Sequence, residues 1–175
     1  MPRSPASLRP LASAADAALA CQLNALAWRS AAGKRLVGLG AARLATLDVG
    51  LMFVLAVGGR PRAALRMLVA VSLVYALSEL GGRAWPRPRP FARLDAVVPV
   101  VPHTAHRSFP SRHVASAMAM ALIALRYHPR LGWMMLANVL LLALTRVAAG
   151  LHYPSDVLTG VALGAAVALP LRGQR

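Results

Sequence analysis

Five long apolar stretches divide this sequence, and they constrain its fold more than any other feature. They lie at about residues 36–58, 63–82, 110–127, 131–149 and 153–171. Each approaches the ~20 residues that a helix needs to cross the hydrocarbon core of a bilayer. Hydrophobic residues make up 58% of the chain and charged residues 14%, which is not the balance of a soluble domain. The sequence therefore predicts an all-α fold, a multi-pass transmembrane helical bundle of five or six spans.

A sixth segment, residues 12–28, leaves the span count open. Its Asp, Gln and Asn residues favour a helix that lies in the membrane interface or packs against the bundle over one that crosses the bilayer. These polar residues also weaken the interpretation of the basic segment 1–10 as the start of a signal peptide. We expect residues 1–34 to form a tail and an amphipathic helix, and residues 35–175 to form one membrane-embedded domain.

Basic residues outnumber acidic residues by 20 to five, which gives a formal charge of +15. In a soluble protein this balance would suggest nucleic-acid binding. Here the arginines lie between apolar stretches, where membrane orientation and anionic headgroups favour them. We therefore expect the bilayer, and not nucleic acid, to be the partner of this chain. Cys21 is the only cysteine, which excludes an internal disulfide and a cysteine-based metal cluster.

The connections between the apolar stretches differ in length. Residues 58–62 and 127–130 are short turns, whereas residues 82–109 form a long, basic, proline-rich loop. Long ordered loops usually carry function. With five spans, this loop lies on the same membrane face as the start of the third span and the junction of the fourth and fifth. Polar residues from all three places can then share one site.

Three clusters of polar residues lie on that predicted face, and each carries cations that can hold a phosphate group. They are residues 87–90, 108–113 and 145–156. In the second cluster Pro110 suits the first position of a helix, because its missing N–H costs nothing there. The free amides of the first turn and the Ser111 hydroxyl would then point outward, an arrangement that attracts phosphate.

The third cluster predicts a histidine nucleophile. With Pro154 at the first helical position, the carboxylate of Asp156 can reach back toward His152 and fix the tautomer of its imidazole. A second histidine, His113, is available to protonate a leaving oxygen. His152 and Asp156 alone would also suit a purely structural pair. Arg146 favours a functional site, because charges near membrane depth are expensive and usually functional.

At these residues the sequence resembles the type 2 phosphatidic acid phosphatase superfamily. The signature of that family has three parts: Lys, six residues, Arg-Pro; then Pro-Ser-Gly-His; then Ser-Arg, five residues, His, three residues, Asp. Arg146, His152 and Asp156 reproduce the spacing of the third part, with Thr145 in place of its serine. The stretch Phe-Pro-Ser-Arg-His, which ends at His113, stands for the second part.

The resemblance implies a membrane lipid phosphatase or undecaprenyl-diphosphatase-like enzyme, placed in the bacterial inner membrane with an extracytoplasmic active site. It implies a lipid phosphate or isoprenoid diphosphate substrate, and neither a metal nor another cofactor. By this resemblance His152 forms a phosphohistidine, Asp156 supports it and His113 protonates the leaving group. The residues that it assigns to the phosphoryl oxygens are Arg89, Ser111 and Arg146.

Two departures from the family pattern bear on activity. The lysine of the first part should stand at Gly82, and Arg83 follows one residue later. Since one residue turns a helical side chain by about 100°, Arg83 substitutes only if the helix has ended or loosened at the paired glycines. Glu79 lies four residues earlier and should orient Arg83 through an ion pair. Arg112 replaces the family glycine, and we expect it to add a phosphate contact or to narrow the substrate range.

These departures keep a second hypothesis open, a catalytically impaired membrane protein that binds lipid phosphates. The remaining polar residues are expected to lie outside the catalytic set. His103 and His106 belong to the long loop, and His128 belongs to a turn on the opposite face. Asp48 should pair within the bundle, and Trp133 should anchor a helix at the membrane interface.

Overall fold

The structure is a computed structural model that describes residues 13–173. Within this range the chain forms six α-helices, one short 3-10 turn at Pro90–Ala92 and no strand. The helices are α1 (Ala14–Trp28), α2 (Ala31–Val57), α3 (Pro61–Ala84), α4 (Arg112–Tyr127), α5 (Pro129–Ala148) and α6 (Pro154–Leu171). The predicted all-α membrane bundle is confirmed. The tail expected at residues 1–10 lies outside the described residues.

Four of these helices, α2, α3, α5 and α6, are long and apolar enough to cross a bilayer. The fifth predicted span corresponds to α4, which has only 16 residues against the ~20 that a lone span requires. α4 packs against α3, α5 and α6, and nine of its residues are buried. Its neighbours, rather than lipid, therefore surround most of it, and its length need not match the bilayer.

Small residues let α4 and α6 approach closely. A methyl group on Gly160 would lie 2.8 Å from the carbonyl oxygen of Ser111, and one on Gly164 would overlap the carbonyl oxygen of Ala115. Close backbone approach of this kind is how helices associate in membranes, where lipid removes the hydrophobic driving force between them. The same contact fixes the start of α6 against the start of α4, which carry two of the three polar clusters.

α1 packs against one end of the bundle. Its buried residues are Asp16, Ala20, Asn24 and Ala27, which recur every three or four positions and so form one helical face. The amide of Asn24 donates to the carbonyl oxygens of Val98 and Ala148, both at 2.9 Å. Of the two placements expected for this segment, the structure shows packing on the bundle.

The long loop between α3 and α4 is tied to the helix ends by backbone hydrogen bonds. The amide of Arg89 donates to Ala105 at 3.1 Å, and the amide of Ser108 donates to Arg87 at 2.8 Å. The loop is also bonded to α6, because the amide of Ser111 donates to the carbonyl of Asp156 at 3.0 Å. These bonds gather the three polar clusters at one end of the bundle.

Candidate active site

His152 lies in the turn between α5 and α6 and is 3% exposed. Its Nδ1 is 2.7 Å from the carbonyl oxygen of Ser108, and its Nε2 is 3.2 Å from a guanidinium nitrogen of Arg89. A carbonyl oxygen only accepts hydrogen bonds, so Nδ1 carries the proton and Nε2 keeps its lone pair. The structure thus holds a neutral imidazole with its basic nitrogen directed toward a cation.

The pKa of His152 is consistent with this neutral state. Burial, and after it the charges of Arg89 and Arg146, lower the pKa of the imidazole well below its ordinary value. His113, in the first turn of α4, is close enough for its charge to act on the same ring. An imidazole that stays neutral at physiological pH has a lone pair available for nucleophilic attack.

The predicted bond between Asp156 and the imidazole is replaced by a different arrangement. The carboxylate of Asp156 is 3.8 Å from Nδ1 of His152, beyond hydrogen-bond distance, because the carbonyl of Ser108 occupies that position. Asp156 instead accepts from the amide of Tyr153 at 2.9 Å and from Arg87 at 2.5 Å. It therefore acts on His152 through its charge and by holding the start of α6, while a backbone carbonyl fixes the tautomer.

Arg87 and Asp16 are the functional residues that the sequence analysis missed. Arg87 pairs with Asp156 on one side and with Asp16 of α1 on the other, each at 2.5 Å. Asp16 also accepts from the amide of Ser155 at 2.9 Å, which satisfies a free N–H at the start of α6. One signal was present: Asp16 is one of only five acids in the chain and stands in an apolar segment.

Arg89 and Arg146 bring two buried cations to the nucleophile. Arg89 is held by the carbonyl oxygens of Thr104 at 2.9 Å and Leu151 at 2.7 Å. Burial, and then the charge of Arg146, lower the pKa of Arg89 to about 10, so it remains charged at neutral pH. Within the described part of the chain, Nε of Arg146 has no hydrogen-bond partner. Unpaired buried donors are rare and usually mark a place that a ligand fills.

Ser111 and the start of α4 supply uncharged donors, although the helix begins later than predicted. Pro110 lies outside α4, Ser111 is the N-cap and Arg112 is the first helical residue. The amide of Ser111 is not free, because it donates to the carbonyl of Asp156. The Ser111 hydroxyl is buried and, among residues 13–173, has no partner. The anion site thus consists of this hydroxyl and the amides of the first turn of α4.

The structure does not bring Arg83 to the site. α3 continues to Ala84, so the helix has neither ended nor loosened at the paired glycines. Arg83 forms the predicted ion pair with Glu79 at 3.1 Å, and its side chain is 68% exposed. Arg112 is placed differently, because it lines a cavity together with Arg89. The one-residue offset therefore turns Arg83 away from the site, and Arg112 is the added cation that lies near it.

The remaining polar residues divide by position. His103 is exposed, but burial of its ring and the charge of Arg89 lower its pKa, so it lies beside the arginine cluster. His128 is the N-cap of α5 at the other end of the bundle, as a turn residue should be. The predicted pairing of Asp48 is not observed, since its carboxylate is buried without a hydrogen-bond partner among the described residues. No three His, Cys, Asp or Glu side chains within residues 13–173 lie close enough to share a metal ion.

Two solved structures share this fold. One is the crystal structure of Aquifex aeolicus LpxE, with a TM-score of 0.76, 22% sequence identity and coverage of 94% of this chain and 98% of that one. The other is the first transmembrane PAP2 type phosphatidylglycerolphosphate phosphatase from Bacillus subtilis, with a TM-score of 0.68, 23% identity and coverage of 91% and 83%. At these identities the likeness concerns the fold alone.

Sequence relatives point to the same family. The chain is 29% identical over 102 residues to the bacitracin transport permease protein BcrC of Bacillus licheniformis, which covers 58% of this chain and 50% of that protein. It is 39% identical over 71 residues to the undecaprenyl-diphosphatase BcrC of Bacillus subtilis, covering 41% and 36%. It is 38% identical over 93 residues to the lipid A 1-phosphatase of Rhizobium johnstonii, covering 51% and 38%. The chain thus spans half or less of the length of these relatives.

A family model gives the widest sequence match. Residues 63–174 match the model of the PAP2 superfamily. This range is well over half of the chain, and it begins in α3 and contains every element of the site except α1. This chain therefore belongs to the PAP2 superfamily.

Proposed function

We propose that this protein is a membrane phosphatase that removes a phosphoryl group from a lipid phosphate or an isoprenoid diphosphate, with His152 as the nucleophile. The observation that carries the proposal is the geometry of this imidazole. Its Nδ1 is held at 2.7 Å by the carbonyl of Ser108, and its Nε2 faces Arg89 at 3.2 Å. A nucleophile oriented toward buried cations suits attack on an anionic phosphorus centre.

The first step transfers the phosphoryl group to the enzyme. Arg89, Arg146 and the start of α4 bind its oxygens, and the lone pair on Nε2 of His152 forms a bond to phosphorus. The bond between phosphorus and the leaving oxygen breaks, and His113 donates a proton to that oxygen. Most of the catalytic effect comes from preorganised charge, because the transition state spreads negative charge over three equatorial oxygens.

The second step restores the enzyme. Water attacks the phosphohistidine, His113 accepts a proton from that water, and the bond between phosphorus and Nε2 breaks. Inorganic phosphate leaves, so one water is consumed for each phosphate ester or anhydride bond. While the ring is phosphorylated it carries positive charge, which the carbonyl of Ser108 and the carboxylate of Asp156 stabilise. Guanidinium groups supply all the charge stabilisation in this scheme, so we expect activity without an added metal or other cofactor.

The membrane supports a lipid as the substrate. α2, α3, α5 and α6 expose large apolar side chains around the bundle, among them Phe53, Leu65, Leu140 and Leu158. The site lies at one end of these spans, where a phosphate headgroup meets the protein while its tail remains in the bilayer. The names of the relatives favour a bacterial inner-membrane protein, and the family resemblance favours the extracytoplasmic side. The division into residues 1–34 and 35–175 stays part of this proposal.

Phosphate release tests the proposal and separates it from the alternative of a lipid-phosphate-binding protein with impaired turnover. We expect the protein, purified in detergent with a chelator present, to release phosphate from polyprenyl diphosphate or phosphatidate. His152→Asn should abolish release, because the amide cannot form the covalent intermediate. His128→Asn is the matched control, since Asn is a good N-cap and this residue lies at the opposite end of the bundle. Substrate binding without release by the wild type would favour the binding protein.

A further inference from the structure

A cavity of about 310 Å³ lies beside the nucleophile, between the end of α3 and the loop before α4. Its volume is at the lower end of the range of ~300–1,000 Å³ typical of small-molecule sites. Its lining includes Ser78, Glu79, Gly82, Arg89, Arg107 and Arg112. Three of these side chains are guanidinium groups and one is a carboxylate. The cavity is therefore electropositive and of a size for a small anion.

The cavity is continuous with the reactive site through Arg89. This side chain lines the cavity, and one of its nitrogens is 3.2 Å from Nε2 of His152. A guanidinium carries five N–H donors in a planar fork and can contact two adjacent anionic groups. A phosphoryl group at His152 and a second anion in the cavity can thus share Arg89. Two phosphates joined by one bridging oxygen have this short separation.

Arg107 occupies the space beside Gly82. A methyl group on Gly82 would lie 3.7 Å from Cδ of Arg107, so the side chain of Arg107 passes the position where the family has its lysine. Arg107 has a φ of 59°, a left-handed conformation that non-glycine residues rarely adopt and that is concentrated at functional sites. Glu79 holds the guanidinium at 2.5 Å. The backbone and an ion pair together fix this arginine at the cavity.

Arg112 adds a second cation where the family has glycine. Its guanidinium carbon lies 5.4 Å from the centre of the Tyr75 ring, a cation–π contact that holds the side chain over the mouth of α4. Both departures from the family pattern, the missing lysine and the added arginine, therefore concern this cavity. The residues of the nucleophile's own cluster, by comparison, keep their family spacing.

We propose that this cavity is a second phosphate subsite, in which Arg107 and Arg112 bind the phosphate that is not transferred. The inference rests on the proposed phosphatase function and specifies its substrate class as a lipid diphosphate. The terminal phosphoryl group is transferred to His152, the anhydride bond breaks, and the lipid monophosphate leaves with its own phosphate in the cavity. A lipid monophosphate presents only one phosphate and leaves the cavity cations unused.

The test compares two substrates that share one polyprenyl chain, the diphosphate and the monophosphate. We expect Arg107→Ala and Arg112→Gly each to lower kcat/KM for the diphosphate by about tenfold or more, the effect of losing one charge-assisted hydrogen bond. Activity on the monophosphate should change less than about threefold on the same argument, which also shows that the variant is folded. Arg93→Ala is the control, because it removes an exposed charge from the same loop outside the cavity.

Two outcomes overturn the subsite. Equal losses on both substrates would place these arginines on the transferred phosphate, and unchanged diphosphate kinetics in both variants would leave the cavity without a role. If Arg107→Ala does not fold, Arg112→Gly decides the question, because it replaces an exposed side chain. A wild-type protein that hydrolyses neither substrate would instead contradict the proposed function itself, so the two failures are distinguishable.

Discussion

At the scale of single residues, the site depends on a chain of contacts behind one imidazole. His152 is oriented by the carbonyl of Ser108, and the charge of Asp156 lies 3.8 Å from the ring. Asp156 is in turn paired with Arg87, and Arg87 with Asp16. The order of these contacts assigns separate tasks: a backbone carbonyl sets the tautomer, and the carboxylate supplies charge and anchors a helix. Kinetic measurements can separate the two tasks.

The pH dependence of kcat/KM reports the state of His152. Because burial and the neighbouring arginines hold the pKa of His152 below its ordinary value of about 6.5, the ring stays neutral until the pH falls well below neutrality. We expect the acidic limb of the profile to lie below that value. Arg89→Gln removes a charge that lowers this pKa, so the limb should move toward higher pH in the variant. A limb that stays fixed would contradict the assignment of that limb to His152.

Asp156→Asn tests whether the carboxylate sets the tautomer. Where an aspartate performs that task, the corresponding change lowers kcat by about 10⁴. Here the carbonyl of Ser108 performs it, so we expect a smaller loss in kcat, of about 10–100-fold, from the removed charge alone. Breaking the buried pair with Arg87 should also destabilise the protein by about 3–5 kcal/mol. Steady-state kinetics and thermal unfolding in detergent measure the two effects, and a 10⁴-fold loss in a folded variant would return the tautomer to Asp156.

At the scale of helices, two contacts position the site: the docking of α1 and the close approach of α4 and α6. The positions of the helices were predictable, since each apolar stretch became a helix within a few residues of its expected bounds. Their ends were less so. Pro110 suits a helix start, but Ser111 uses its amide to bond Asp156, 45 positions away in the chain, and the helix begins after it. Long-range bonds of this kind leave no mark on local spacing.

Asp16 should couple α1 to the catalytic end of the bundle. Asp16→Ala leaves Arg87 short of one partner and the amide of Ser155 unsatisfied, so we expect a loss of about 3–5 kcal/mol in stability. We also expect kcat to fall more than KM rises, because the change acts through Arg87 and Asp156 rather than through substrate. Asp95→Ala is the matched control, since it removes an exposed carboxylate. Equal stability of the two variants would contradict the coupling.

Gly164 tests the contact between α4 and α6. A methyl group there would overlap the carbonyl oxygen of Ala115, whereas Gly50 in α2 has nothing within 4 Å. Gly164→Ala should therefore separate the helices and destabilise the protein by about 1–3 kcal/mol. Gly50→Ala should be neutral or stabilising by up to about 1 kcal/mol, because it removes the flexibility of a helical glycine. Thermal unfolding of the two variants in the same detergent compares them, and similar melting temperatures would exclude the close contact.

At the scale of the whole molecule, the bundle keeps its polar residues at one end and its apolar surface toward lipid. The composition and the length of the apolar stretches were enough to predict this architecture, because the bilayer permits few alternatives. The family pattern was enough to bring Arg146, His152 and His113 together. Neither revealed the buried pairing of Arg87 with Asp16, since that pair joins α1 to the long loop across 71 positions. Tertiary packing alone determines which charges meet.

The central claim is that His152 becomes covalently phosphorylated during turnover. The most direct measurement is rapid acid-free quenching of the purified protein with radiolabelled polyprenyl diphosphate, followed by identification of the labelled peptide. The account predicts a label on His152 that is stable to alkali and labile to acid, absent from His152→Asn and retained in His128→Asn. Phosphate release by the wild type with no label on His152, or release that persists in His152→Asn, would contradict it.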